Sequence, residues 1–300
     1  MPTNKILLPF ESSNPILIVL NLLGLLPIRK GIFHITGHAH YAALILPPSR
    51  TVLTIHDLGF LYQYKGWKKK MMKWLFLDWP LKRIKFITTV SEKTKAEIVQ
   101  YSMFPAEKIL VIPNPVQLGI DYQPKQFNTE KPVILFIGTK QNKNLSRAIE
   151  ALNGLTVHLR IIGKLNEEHL LHLSTNKIDY SNAIHLSNQD LANEYVKCDM
   201  VLFPSLYEGF GLPIIESFKA GRPIITSDLA PMNLIAEDAA FLVDPIDGSS
   251  IRDAVLQVIN NDRQRVEKVA KGLEIATKYS ADLISKQYEQ LWSSIASSLK

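Results

Sequence analysis

One pattern limits what this chain can fold into. Short β-branched runs alternate with segments whose apolar residues recur at helical spacing. The runs fall at 32–36, 51–55, 86–90 and 109–112, then at 133–137, 157–162, 200–203, 223–226 and 240–243. Between them, Leu145, Ala148, Ile149 and Leu152 share one face of a helix. Strand and helix alternating at this spacing specify parallel sheets with helices on both faces. The runs lack in/out alternation, as strands covered on both sides should.

The alternation is interrupted once. Pro113, Asn114 and Pro115 end one strand, and the stretch from Gln117 to Pro132 is polar and reads as a linker. The chain of 300 residues is long enough for two cores. We therefore expect an α/β chain with two domains, 1–115 and 116–278, and a last helix from about Ser280 to Lys300. The first domain is unusual. Only Ile6–Pro9 precedes the apolar run, and no G-x-G-x-x-G follows it. The expectation is an N-terminal domain shortened at its start.

Composition excludes several classes. With 46% hydrophobic and 21% charged residues, the chain is neither collagen-like nor broadly disordered. One cysteine, Cys198, excludes a disulfide framework and a Cys-based zinc site, and it suggests a reducing compartment. The most apolar stretch, Ile16 to Ile28, is interrupted by Asn21, Gly24 and Pro27. A bilayer crossing needs about 20 apolar residues, so this stretch reads as a short buried helix. A cytoplasmic protein is expected.

The strongest chemical signal is Phe203-Pro-Ser-Leu-Tyr-Glu-Gly-Phe-Gly-Leu-Pro-Ile-Ile-Glu216. A strand ends at Phe203, a loop carries Gly209 and Gly211, and a helix starts near Leu212 or Pro213. Pro suits a first helical turn, and Gly221 suits the C-terminal cap. Free amides and the helix dipole then offer an anion site. Glu208 and Glu216 flank it and could take sugar hydroxyls on either side of a diphosphate. The plainer reading is a capping acid followed by a surface Glu.

Gly138-Thr-Lys-Gln-Asn-Lys-Asn144 follows another strand, with Asn144 as a possible N-cap. It is not a Walker loop. Lys140 and Lys143 at this turn suit a diphosphate, or form a solvated basic turn. Thr54-Ile-His-Asp-Leu-Gly59 ends a strand on the side where open α/β sheets hold ligands, so His56 is either a ligand donor or a structural hydrogen-bonder. His34, His38 and His40 lie close in sequence without a carboxylate among them. They read as a polar cleft wall rather than a metal site. No D-x-D occurs, so the usual divalent-cation clamp on a nucleotide sugar is missing, and no metal or cofactor is expected.

These residues resemble a family. Glu208 to Glu216 matches the E-x7-E signature of retaining family-4 glycosyltransferases (glycosyl transferases group 1), and Gly138 to Leu145 resembles their diphosphate-binding turn. Val90-Ser-Glu-Lys-Thr-Lys95 resembles "VSxxTK", Ile112-Pro-Asn-Pro115 resembles "IPNG", and Thr54-Ile-His-Asp57 resembles "T-[IV]-H-D". The resemblance implies a GT-B fold: two Rossmann-like domains facing a central cleft, with the helix of 279–300 packing back across them. It implies a metal-independent retaining enzyme for polysaccharide or envelope biosynthesis, moving a sugar from a UDP- or GDP-linked donor to a glycan or lipid-linked acceptor. Its donor residues map to Gly138, Thr139, Lys140, Lys143, Asn144, Glu208, Gly209, Phe210, Gly211, Leu212 and Glu216. Glu216 would hold the ribose and Glu208 the donor sugar. Lys143 and the amides of Phe210, Gly211 and Leu212 would hold the diphosphate, and His56 would face the sugar. Thr139 replaces the family's usual Arg, leaving Lys140 as a substitute. A non-catalytic nucleotide-sugar-binding remnant is the alternative. A nicotinamide-dependent oxidoreductase is disfavoured by the absent glycine fingerprint.

One further stretch stands apart. Lys65 to Phe86 carries eight basic residues, one acid (Asp78) and three of the four Trp: Trp67, Trp74 and Trp79. This fits a helix on an anionic membrane surface, peripheral on the inner face of the cytoplasmic membrane. No nucleic-acid module accompanies it, so nucleic acid is not expected as a partner. The plainer reading is a helix packed on the first sheet with a solvated lysine face.

Overall fold

A computed structural model describes residues 4–10, 14–28 and 30–299. The chain divides into two compact units, Met1–Asn114 with Asp282–Lys300, and Pro115–Ala281.

In the first unit, β1 (Phe33–Ile35), β2 (Thr51–Ile55), β3 (Phe86–Thr89) and β4 (Ile109–Val111) form a parallel sheet in that order. All five residues of β2 are buried, as a strand covered on both faces requires. Leu53, Ile55, Leu58, Leu61, Ile87 and Ile98 fill the core. The helices are α1 (Pro15–Leu25), α2 (Phe60–Gln63), α3 (Gly66–Lys73), α4 (Trp79–Arg83) and α5 (Glu92–Ser102). A π-helical turn, Trp74–Asp78, joins α3 to α4. The hydroxyl of Ser91 caps α5 by accepting from the Thr94 amide at 3.1 Å.

The expectation of a buried helix in the first apolar run is corrected. The helix exists, but Ile16, Val19, Leu20 and Leu23 are exposed. Asn21 and Leu25 are its buried residues, so its one polar side chain is turned inward. Asn21 is fully buried and donates through Nδ2 to the Phe10 carbonyl and to the Tyr41 hydroxyl, both at 2.9 Å. At 11 residues the helix is too short to cross a membrane. Hydrophobicity alone could not say which face would find a partner.

The second unit carries β5 (Val133–Ile137), β6 (His158–Ile162), β7 (Tyr180–Ala183), β8 (Met200–Phe203), β9 (Ile224–Ser227) and β10 (Phe241–Val243). All pair in parallel, in the order β10-β9-β8-β5-β6-β7. Its helices are α6 (Leu145–Ala151), α7 (Glu167–Thr175), α8 (Asn188–Lys197), α9 (Leu212–Ala220), α10 (Met232–Ala236), α11 (Gly248–Asn260) and α12 (Asp262–Thr277). Phe136, Ile149, Leu159, Leu202, Ile225 and Val255 lie in its core. The edge strand β7 is absent from the sequence expectations. Its residues, Tyr-Ser-Asn-Ala, carry no β-branched run, and pairing with β6 defines it.

The sheet order reverses at β5, whose neighbours are β6 and β8. The carboxyl ends of β5 and β8 therefore lie side by side at the switch point, where open α/β sheets receive ligands. The polar segment before β5 has no regular structure but is anchored. Val116, Leu118 and Ile120 are buried, and buried Asp199 accepts from the amides of Asn128 at 3.1 Å and Val133 at 2.8 Å and pairs with Lys125. The last helix, α13 (Ala281–Ser298), runs into the first unit. There Tyr288 and Trp292 pack against the His34 ring, with centroids 4.9 and 5.7 Å away.

Candidate functional site

The switch point of the second sheet gathers most of the residues singled out in the sequence. After β5 the chain turns at Gly138, whose φ of +88° lies in the region that favours glycine. A Cβ there would sit 3.1 Å from Lys143 Cε, so the bare backbone leaves room for the lysine stem. Lys143 Nζ lies 4.8 Å from the centroid of the Phe203 ring and donates to Glu208 Oε1 at 2.7 Å. Phe203 closes β8, so one ion pair ties the two strand ends together.

Asparagines stitch the same two loops. Asn142 Nδ2 donates to the Tyr207 carbonyl at 2.9 Å, and the Leu206 amide donates to the Asn142 carbonyl at 2.8 Å. Asn144 Nδ2 donates to the carbonyls of Pro204 at 3.1 Å and Pro245 at 2.7 Å. Asn144 stands at the N-cap position of α6, as expected, but its side chain does not cap the helix. It adopts φ +66°, its Oδ1 accepts from Arg147 Nη1 at 2.9 Å, and its Nδ2 bridges the loops.

Gly211, at φ +116°, starts α9, with Pro213 in its first turn. A Cβ on Gly211 would come within 3.2 Å of Ile214 Cδ1. The helix thus opens behind a glycine that nothing larger replaces without strain, and its first amides are free of a side-chain cap. Phe210 is buried, with its ring edge-on to Tyr279 at 5.7 Å. Only its backbone is suited to a ligand.

Glu216 lies inside α9 and is 8% exposed. Tyr195, from α8, donates its hydroxyl to Glu216 Oε2 at 2.5 Å. Burial raises the Glu216 carboxyl above the usual carboxylate range, against the opposing pull of that hydrogen bond and of the Lys143 charge. Burial also lifts the Tyr195 phenol well above its usual value, so it stays a neutral donor. The plain reading of Glu216 as a surface residue is thereby excluded. Sequence reasoning missed Tyr195, which carries no motif. Asn142 lay within the quoted turn, and its residue type at a loop crossing was the available signal.

Not every expected residue joins this cluster. The Thr139 hydroxyl donates to the Lys164 carbonyl at 2.6 Å, and Lys140 is exposed. In the first unit, His56 Nε2 donates to the Thr36 carbonyl at 2.8 Å, and burial lowers its pKa. The reading of His34 and His40 as a polar cleft wall is corrected. His34 Nε2 lies 2.7 Å from Thr54 Oγ1, which meets Thr88 Oγ1 at 2.6 Å. His40 is 3% exposed and donates through Nδ1 to the Phe76 carbonyl at 2.7 Å. Both are held as structural hydrogen-bonding groups inside the first unit. His38 is exposed. Among the described residues no cluster of three or more His, Cys, Asp or Glu could hold a metal ion.

The chain is similar to known proteins in family and fold. The model of glycosyl transferases group 1 matches residues 120–273, and that of glycosyltransferase family 4 matches 25–119. The O-antigen chain mannosyltransferase B of Escherichia coli is 28% identical over 258 residues, covering 77% of this chain and 67% of that protein. The O-antigen chain mannosyltransferase RfbU of Salmonella typhimurium is 25% identical over 238 residues, covering 77% of this chain and 65% of that protein. The match thus spans about two thirds of these curated relatives. Among solved structures, Anabaena Alr3699/HepE in complex with UDP and glucose superposes with a TM-score of 0.79 at 15% identity, covering 95% of this chain and 84% of that one. The fold is GT-B, and the chain belongs to the glycosyl transferases group 1 family.

Proposed function

We propose that the protein is a retaining, metal-independent glycosyltransferase of polysaccharide or envelope assembly. It moves a sugar from a UDP- or GDP-linked donor to a glycan or lipid-linked acceptor. The observation that carries this reading is the cluster at the switch point: Lys143 paired with Glu208 at 2.7 Å beside the uncapped start of α9, with Glu216 buried further along the same helix.

Breaking a sugar–phosphate bond leaves negative charge on the diphosphate. The Lys143 ammonium and the amides of Phe210, Gly211 and Leu212 provide fixed positive charge to receive it. Lys143 is already held by the Glu208 carboxylate, so an arriving diphosphate competes with Glu208 for the ammonium. The carboxylate is then released to accept hydrogen bonds from sugar hydroxyls. Glu216, oriented by Tyr195, accepts from the ribose. In the retaining step the departing phosphate oxygen takes the acceptor proton on the same face, and no protein base is assigned. The role of His56 toward the sugar rests on the resemblance of Thr54-Ile-His-Asp57 to the family pattern. Relatives with mannosyltransferase names favour a mannose-type donor.

Calorimetry with UDP and GDP tests the site on the wild type, Lys143→Ala and Glu216→Ala. Wild type binding one diphosphate, with at least tenfold loss in each variant, supports it. A wild type that binds neither UDP nor GDP, nor any nucleotide sugar, overturns it. Transfer of labelled sugar to membrane-derived acceptor then separates an enzyme from a binding remnant.

A further inference from the structure

Among the described residues, the first unit carries an exposed apolar helix face. On α1, Ile16 is 69%, Val19 53% and Leu23 55% exposed, while Asn21 points inward to Tyr41. The Tyr41 ring meets Phe76 edge-on at 6.0 Å, and the neighbouring His40 donates to the Phe76 carbonyl. The 3-10 turn His40–Leu44 therefore holds α1 on one side and the turn Trp74–Asp78 on the other. That second side is also apolar at its surface. Trp67 is 68% and Trp74 51% exposed, and Trp74 lies 4.6 Å from Trp79, centroid to centroid.

Charge distinguishes this surface. Asp78 is the one acid from Lys65 to Phe86, and Lys73 occupies it at 2.7 Å. Lys65, Lys68, Lys70, Lys82 and Lys85 are exposed around the tryptophans.

We propose that α1 and residues 65–86 form one docking surface that lies flat on an anionic lipid bilayer. The apolar face of α1 enters the headgroup–acyl boundary, the indoles sit at the interface, and the lysines meet headgroup phosphates. The 11 residues of α1 make a helix about 16 Å long, so it lies in the surface and does not span it. A nucleic acid would use the lysines but not the apolar face of α1. A second copy would use that face but would bring two lysine-rich surfaces together. A bilayer uses both. The surface is independent of the donor cluster.

Vesicle flotation of the full chain tests this, with phosphatidylglycerol-containing vesicles against pure phosphatidylcholine. Expected are flotation with the anionic vesicles only, a blue shift of tryptophan emission, and release at about 0.5 M salt. Lys68→Glu with Lys70→Glu should weaken binding at least tenfold. Leu20→Gln with Leu23→Gln should also weaken it at least tenfold, and all four positions are surface sites whose variants keep the wild-type circular dichroism. Absence of wild-type flotation overturns the proposal. So does flotation unchanged in both variants. A lipid-free dimer in light scattering that Leu20→Gln with Leu23→Gln dissolves also overturns it, because the face then belongs to a second copy.

Discussion

The Tyr195 hydroxyl donates to Glu216 Oε2 across 2.5 Å, and both side chains are buried. The bond joins α8 to α9 and fixes the carboxylate that the proposed function assigns to the ribose. Tyr195→Phe removes the donor and leaves a buried acceptor short of a partner, which should cost about 1–3 kcal/mol in urea denaturation. It should also narrow the preference for UDP over its 2′,3′-dideoxy analogue, read by calorimetry. A stability loss with that preference intact would mean that Tyr195 only packs.

Glu216 has a pKa raised by burial, which fixes the sign of its pH effect. Its ionised form is disfavoured in the folded state, so that penalty is present at neutral pH. It disappears as pH falls through the raised folded value toward the ordinary one. Glu216→Gln keeps an acceptor for Tyr195 and removes the charge. Melting temperature at pH 7 should rise, with the gain shrinking in acid, while diphosphate affinity falls at least tenfold.

Lys143 and Glu208 are partly exposed, with side chains 20% and 15% accessible. Removing the lysine leaves the sheltered Glu208 carboxylate without this partner, at a cost of about 1–3 kcal/mol. Removal of a transition-state donor costs about 3 kcal/mol. Lys143→Met should therefore lower the melting temperature modestly and lower kcat about 100-fold or more. A variant that melts early but turns over normally would contradict the assignment.

His34 and His40 are both lowered to about 4, chiefly by burial. Their unfolded values lie near 6.5, so the unfolded chain binds more protons between those limits and stability falls as pH drops from about 6.5 to 4. Each contributes on the order of 3 kcal/mol across that window. Hydrogen exchange should show β1, β2 and their packing helices losing protection in this range, and His40→Gln should flatten the pH dependence.

Gly272 sits in the middle of α12, where a Cβ would fall 2.5 Å from Phe218 Cδ1 on α9. Alanine gains about 1 kcal/mol of helix propensity over glycine, whereas overpacking costs about 1–3 kcal/mol. The clash is with an aromatic ring that is 2% exposed and has little room to move. Gly272→Ala should be destabilising in thermal melts and should weaken diphosphate binding, because α9 carries the proposed site.

The sequence by itself determined the strand–helix alternation, nine of the ten strands among the described residues, the start of α9 at Leu212 or Pro213, and Lys143, Glu208 and Glu216 of the switch-point cluster. These are local or periodic properties: β-branched runs, a glycine that must reach positive φ, a proline that suits a first turn. The tertiary structure decided what depends on a partner. Pairing with β6 makes a strand of Tyr180–Ala183, which has no strand composition. Burial against Tyr41 turns Asn21 inward and leaves Ile16, Val19, Leu20 and Leu23 exposed. Asn144 stands at the N-cap of α6, yet its side chain bonds across loops and not to the helix amides. Tyr195 becomes the partner of Glu216 only because α8 and α9 pack together. A hydrogen bond or a buried face is a property of two segments, and the residues of one segment do not contain the position of the other.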